Sequence, residues 1–230
     1  MNIFYLLEHE LLNINKYDFL FEIKPIFSSN KIKSDISIKY FTNPTHLNLI
    51  IDKIKRHDFI NRLDIINGYI NLEIDKNFWI KNLDLSLPSS KPYFEYRFQD
   101  NRDMSYDNIL FKYHYIFSKT YMILKKYGNV NTSCPYKIDS FISSNELDML
   151  KLLQYFYKYI EISIRKSCPN IILKKLTKIA DIFLILYYKE NYASFELSAN
   201  NIHKFYIVQS INQLIDHIFK MFKLTPLKSF

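Results

Sequence analysis

The sequence predicts an α+β protein, with a small N-terminal α+β domain followed by an all-α helical bundle. Three observations carry that expectation. Residues 62–74 alternate apolar and polar on both sides of an Asn67-Gly68 pair, the pattern of strand, tight turn and strand. From Asp107 onward the apolar residues recur at helical spacing. Glycine is nearly absent, with Gly68 and Gly128 the only 2 in 230 residues, so each marks a place where the backbone asks for it.

Taken in order, Ile3–Leu12 is predicted to be a helix and Phe19–Ile26 a strand closed by Pro25. Asn43-Pro44 starts a second helix, because proline fits the first turn, and Leu47, Ile50, Ile51 and Ile54 fall on one face of it. Leu63 and Ile65, then Ile70, Leu72 and Ile74, line the strand pair around Gly68. Within residues 76–105, Pro88-Ser89-Ser90-Lys91-Pro92 is the linker candidate. In the second half, Ile109, Tyr113, Ile116, Phe117 and Ile123 form one face of a helix that Lys125-Lys126 and Gly128 end. Ser143 and Glu146 have the spacing of a capping box. That helix is expected to end at Cys168, the next to run from Pro169 to about Tyr188, and the last from Ile202 to Phe222. The domains are therefore expected at 1–78 and 106–230, joined by a largely irregular linker at 79–105.

Bulk composition narrows the function less. A hydrophobic content of 48% is ample for a core, and a net charge of +8 permits a polyanionic partner. The wealth of Ile, Asn, Lys, Tyr and Phe is also what an AT-rich genome produces, so the charge permits such a partner without diagnosing one. Cys134 and Cys168 lack the paired spacing of a metal site and read as two thiols in a reducing compartment. Met1–Leu12 carries Glu8 and Glu10 and no basic leader, so it is not a signal peptide. No apolar run approaches the ~18 residues of a membrane span. The expectation is a cytoplasmic protein with no membrane association. His9, His46, His57, His114, His203 and His217 are scattered without metal spacing, and no glycine-rich loop is present to cradle phosphates. No catalytic residue, metal ligand or cofactor is expected.

The stretch from Ile50 to Phe78 resembles the end of the N-terminal domain of arginyl-tRNA synthetases. There a helix leads into a short strand and then a Gly-Phe-Ile-Asn-type strand. Here Leu47–Arg56, Leu63–Ile66 and Gly68-Tyr69-Ile70-Asn71 follow in that order. Met1-Asn2-Ile3, Leu6-Leu7 and Ser34-Asp35-Ile36 extend the likeness upstream, with Ser34 standing where the family has glycine. The resemblance implies that Asn67, Tyr69 and Asn71 meet the outer corner of a tRNA, around its D-loop.

The helical half resembles the DALR-type anticodon-binding bundle that closes the same enzymes. Leu110-Phe111-Lys112-Tyr113 occupies the start of the first bundle helix, with Tyr113 identical. Pro169, Leu176, Ile179, Ala180, Phe183 and Tyr187 keep the frame of a later helix, with Asn170 in place of the family's histidine. Ile207-Val208-Gln209 through Phe222-Lys223-Leu224-Thr225-Pro226 follow the closing helix and tail, and the chain finishes on Phe230 where the family commonly has methionine. This likeness implies that Tyr113, Tyr187 and Phe230 lie near the anticodon loop, where unpaired bases stack on aromatic faces. With 19 Tyr and 19 Phe in the chain, any one aromatic is more often core than contact.

Between these halves a synthetase carries its catalytic nucleotide-binding domain. Only residues 76–105 intervene here, and such a domain needs on the order of a hundred residues or more. His-x-Gly-His and Lys-Met-Ser-Lys are absent, and Asn43-Pro44-Thr45-His46 has no glycine after it and reads as a helix start. The resemblance implies a tRNA-binding protein without its own catalytic core, with arginine tRNA as the expected partner. It would be a reduced or split arginine–tRNA ligase working with a separate catalytic subunit, or an adaptor presenting tRNA to a modifying enzyme, or a decaying pseudoenzyme. Alone, this chain is expected not to aminoacylate.

Overall fold

A computed structural model describes residues 2–14, 20–27, 34–41, 44–85, 87, 104–128, 142–198 and 200–228. The linker candidate Pro88–Pro92, Cys134 and Phe230 lie outside the described residues. The elements run α1 (Ile3–Ile14), β1 (Leu20–Pro25), β2 (Ile36–Phe41), α2 (Pro44–Ile54), β3 (Ile60–Ile66), β4 (Tyr69–Ile74) and α3 (Lys76–Lys81), then α4 (Met104–Tyr127), α5 (Ser144–Arg165), α6 (Asn170–Lys189) and α7 (Ile202–Met221). A small α+β region thus precedes a helical one, as the sequence predicts. Two elements are additional. β2 is a short alternating strand that the sequence reading used only as a motif. α3 begins within the N-terminal unit and runs into the segment expected as linker. It is capped by the Asp75 carboxylate, which accepts from the Asn77 amide at 2.6 Å. Trp79, at its centre, is fully buried.

The four strands form an antiparallel sheet in the order β1-β2-β4-β3. Because side chains alternate across a strand, the register decides which residues share a face. Ile23, Ile38, Ile70 and Ile65 make one row across all four strands, and Ile36, Leu72 and Leu63 the next. Apart from Ile65 on the edge strand, which is 46% exposed, these rows face the core, where α1 contributes Ile3, Phe4, Leu7 and Leu11, and α2 contributes Ile50 and Ile54. The opposite face carries Glu22, Lys39, Tyr69 and Ile66 in one row, and Lys24, Ser37, Asn71 and Asp64 in the other. Asn67 (φ 51°) and Gly68 (φ 77°) both hold positive φ, as a type I′ hairpin turn requires.

The helix α5 ties the halves together. Residues 148–157 are buried without a break, so this helix is covered on all sides. Lys151, Gln154, Tyr155 and Lys158 recur at helical spacing and meet the N-terminal unit. The Lys151 ammonium lies 2.6 Å from an Asp35 carboxylate oxygen and donates to Ile26 O at 2.9 Å. Gln154 donates to Trp79 O at 2.8 Å and accepts from the Ile3 amide at 3.2 Å. Tyr155 donates to Ile23 O at 2.8 Å, and Lys158 pairs with Glu8 at 2.9 Å. The buried residues of both halves form one continuous cluster.

At the start of α5 the capping box closes in both directions. Ser143 Oγ accepts from the Glu146 amide at 3.1 Å, and Glu146 Oε2 accepts from the Ser143 amide at 2.9 Å. Glu146 Oε1 accepts from the Tyr192 hydroxyl at 2.8 Å and meets His203 Nε2 at 3.2 Å. One carboxylate thereby joins α5, the loop after α6, and α7. Burial raises its pKa, but the bonds from His203, Ser143 and Tyr192 outweigh burial and hold it below the usual carboxylate value of 4.5. A depressed native pKa stabilises above the unfolded value, and that contribution disappears as pH falls through the native one. Unfolding free energy followed from about pH 6 down to about pH 3 should fall more steeply for the native chain than for Glu146→Gln. Parallel acid slopes for the two proteins would refute this role for Glu146.

Candidate nucleic-acid interface

Helix α4 has two faces of different character. Tyr113, Ile116, Phe117, Thr120 and Ile123 are buried against the bundle. On the other side Phe111, Tyr115, Lys119, Met122 and Lys126 follow one another at spacings of three and four, which aligns them in a stripe along the helix. Phe111 is 57% exposed. Its ring lies 6.5 Å from that of Tyr115, with planes 19° apart. Lys119 Nζ sits 5.1 Å from the Tyr115 ring centre, a cation–π distance.

The neighbouring helix α6 extends this stripe. The Tyr188 and Tyr115 hydroxyls are 2.6 Å apart, and Tyr188 is 64% exposed. The hydrogen bond to Tyr115 raises the pKa of the Tyr188 phenol. Lys112 forms an ion pair with Asp181, which ties α4 to α6 beside the aromatic pair. Phe111, Tyr115 and Tyr188 form an aromatic ladder with lysines along it.

The sequence-derived residues occupy several positions around this surface. Tyr113 is 1% exposed, with its hydroxyl 2.9 Å from Leu173 O and 2.8 Å from Thr177 Oγ1. Burial pushes its pKa up to about 12. Its ring is closed to stacking by a base, and it instead anchors α4 on α6. Tyr187 is half-buried, packed 5.8 Å from Phe183 and edge-on to Tyr188 at 5.1 Å. Phe230 lies beyond the described tail, but the tail leading to it is held along α4. The Leu227 amide donates to His114 Nδ1 at 3.1 Å, and Lys228 Nζ stands 5.5 Å from the Tyr121 ring.

In the N-terminal unit, Asn67 is exposed at the hairpin tip, and Tyr69 faces outward with Lys39 Nζ 5.8 Å from its ring centre. Asn71 shares that outward face, yet is 2% exposed. It sits in a central strand, paired with Ser37 on one side and Asp64 on the other.

A family comparison adds to this geometry. The model of the DALR anticodon binding domain matches residues 113–230, from Tyr113 in α4 through the tail. The chain belongs to the DALR anticodon-binding family. No curated protein and no solved structure gives a significant match. The matched part of this DALR protein contains Tyr115, Lys119 and Tyr188, and Phe111 lies just before it. Among the described residues, no group of three or more His, Cys, Asp or Glu could hold a metal ion, and no helix is long and apolar enough to cross a membrane.

The sequence by itself does not mark Phe111, Tyr115, Lys119 and Tyr188 as contacts. A signal for the first three was present, since they repeat every fourth residue on the side of α4 away from Tyr113 and Ile116. Tyr188 has no such pattern, because its partner Tyr115 is supplied by another helix.

Proposed function

We propose that this protein binds the anticodon arm of a tRNA, arginine tRNA by preference, and that the chain has no aminoacylation chemistry of its own. The observation that supports this reading is the Phe111–Tyr115–Tyr188 ladder, with Phe111 and Tyr188 exposed and Tyr115 half-buried between them, set in and beside the segment that matches an anticodon-binding family. Unpaired loop bases offer flat faces to aromatic rings, while lysines neutralise the phosphates between them. Tyr187 and the tail toward Phe230 flank the ladder. Tyr113 acts as a positioning residue that holds α4 against α6. Asn67, Tyr69 and Lys39 form a second contact, at the D-loop corner of the tRNA. A separately encoded catalytic subunit would complete an arginine–tRNA ligase in the cytoplasm.

Filter binding of the native chain to arginine tRNA and to an unrelated tRNA, over several salt concentrations, tests the proposal. Binding should weaken with salt for both, and arginine tRNA should remain the tighter ligand throughout. Equal affinities would remove the specificity and leave generic polyanion adhesion. In a second assay, ATP–pyrophosphate exchange with arginine should stay at background for the purified chain. Robust exchange free of host enzyme would overturn the absence of chemistry.

A further inference from the structure

Arg165, Lys166, Lys174, Lys175 and Lys178 crowd the tip of the α5–α6 hairpin, and no acidic residue lies in the sequence from Arg165 to Lys178. The turn between the helices is closed by the Cys168 amide donating to Ser163 O at 2.9 Å and by Ser163 Oγ donating to Cys168 O at 2.7 Å. The end of α5 and the start of α6 are therefore held side by side. Arg165, Lys166 and Lys174 are exposed. Lys175 Nζ stands 4.5 Å from the Tyr159 ring centre and Lys178 Nζ 3.2 Å from that of Phe27, so two of the five side chains are held in place by rings.

Four other lysines of the helical region pair with carboxylates, Lys112 with Asp181, Lys151 with Asp35, Lys158 with Glu8 and Lys220 with Asp216. Among the described residues, none of the five at the hairpin tip has a carboxylate at ion-pair distance. Asp148 acts on Lys178 from further away, and is itself 4.0 Å from Lys151. A biased genome supplies lysines, but it does not clear the acids from around them. Five cations with no carboxylate at ion-pair distance make a surface suited to a polyanion.

Its position says which polyanion. Lys174, Lys178 and Tyr188 lie on one face of α6, because 14 residues are close to four full turns. At about 1.5 Å per residue, Lys174 and Tyr188 are roughly 21 Å apart along the helix. A strand of an A-form RNA helix rises about 3 Å per nucleotide, less than in B-form DNA, so that span is about seven backbone steps. We infer that the α5–α6 hairpin tip is a second RNA surface, which neutralises phosphates of the stem while the ladder holds the adjoining loop. This rests on the function proposed above and adds to it the part of the RNA that the basic corner grips.

The test compares the native chain with an Arg165→Gln/Lys174→Gln variant, both positions being exposed and outside the packed core. The probes are an anticodon stem-loop RNA and the loop nucleotides alone as a single strand. Each lost phosphate contact should reduce the slope of log K against log salt by about 0.7–0.9, which for two contacts is about a thirtyfold loss of affinity near 0.1 M salt. The stem-loop should show this loss and the loop oligonucleotide should not. A matched Lys53→Gln/Lys55→Gln variant at the end of α2 should leave the slope unchanged. An unaltered stem-loop slope with loop preference intact would overturn this inference alone. So would an equal loss on both probes, or an equal loss in the α2 variant. Failure of the native chain to bind either RNA would overturn this inference together with the function on which it rests.

Discussion

Replacing Tyr115 and Tyr188 with alanine is expected to lower affinity for an anticodon stem-loop by roughly 5-fold to 150-fold at each position, because stacking on one aromatic carries roughly 1–3 kcal/mol per base. The two losses should not simply multiply. The rings share a hydrogen bond at 2.6 Å, so each truncation also releases the other from its position. The salt slope should change little, since neither residue neutralises a phosphate. Tyr113→Phe provides the contrast, for it removes a buried hydroxyl bonded to Leu173 and Thr177. That change should cost about 1 kcal/mol of stability and leave RNA preference in place. Titrations of a fluorescent stem-loop, with thermal melts of each variant, separate the two effects. A Tyr115→Ala/Tyr188→Ala protein that melts normally and binds as tightly as the native chain would rule out the ladder as the loop-binding surface.

Lys151→Met should produce the largest change in stability. The ammonium group is buried against Asp35 at 2.6 Å and against Ile26 O at 2.9 Å, and methionine keeps most of the stem while removing charge and donor. Asp35 would then remain a buried carboxylate without its cation, held by the Ile74 amide at 2.8 Å. Breaking one side of such a pair costs about 3–5 kcal/mol. For a chain of this size that corresponds to a melting temperature lower by about 10 °C. Adding Asp35→Asn should recover part of the loss, because the amide still accepts from Ile74 and no longer carries an unpaired charge. Thermal unfolding followed by circular dichroism reads both steps. A single mutant that melts with the native protein, or a double mutant less stable than the single, would contradict this account of how α5 grips the sheet.

The local signals in the sequence were strong where one short stretch contains its own reason. Asn67-Gly68 supplies the two positive-φ residues of a hairpin, and Ser143 with Glu146 supplies both halves of a capping box. Pro169 and Gly128 mark a helix start and a helix end for equally local reasons. β2 and α3 were less legible. Each spans 6 residues, too few for a period to stand out, and each is stabilised by what lies across from it. Of the candidate contacts, Tyr113 is buried against α6 and Tyr187 is half-buried beside Tyr188. A family frame aligns residues along the chain, while exposure is decided by which neighbours arrive from elsewhere.

Composition, periodicity and capping thus determined the α+β order, the hairpin, the four bundle helices and the scarcity of acid around the α5–α6 turn. All of these depend on residues within a turn or two of one another. Tertiary structure alone decided that Lys151, Gln154 and Tyr155 join the two halves into a continuous core, that Glu146 gathers His203 and Tyr192, and that Tyr115 meets Tyr188. Those partners are separated by 46 to 151 positions in the chain. A polar residue on a helix looks alike in sequence whether it meets water or a buried partner, and only the packing of the opposing element distinguishes the two.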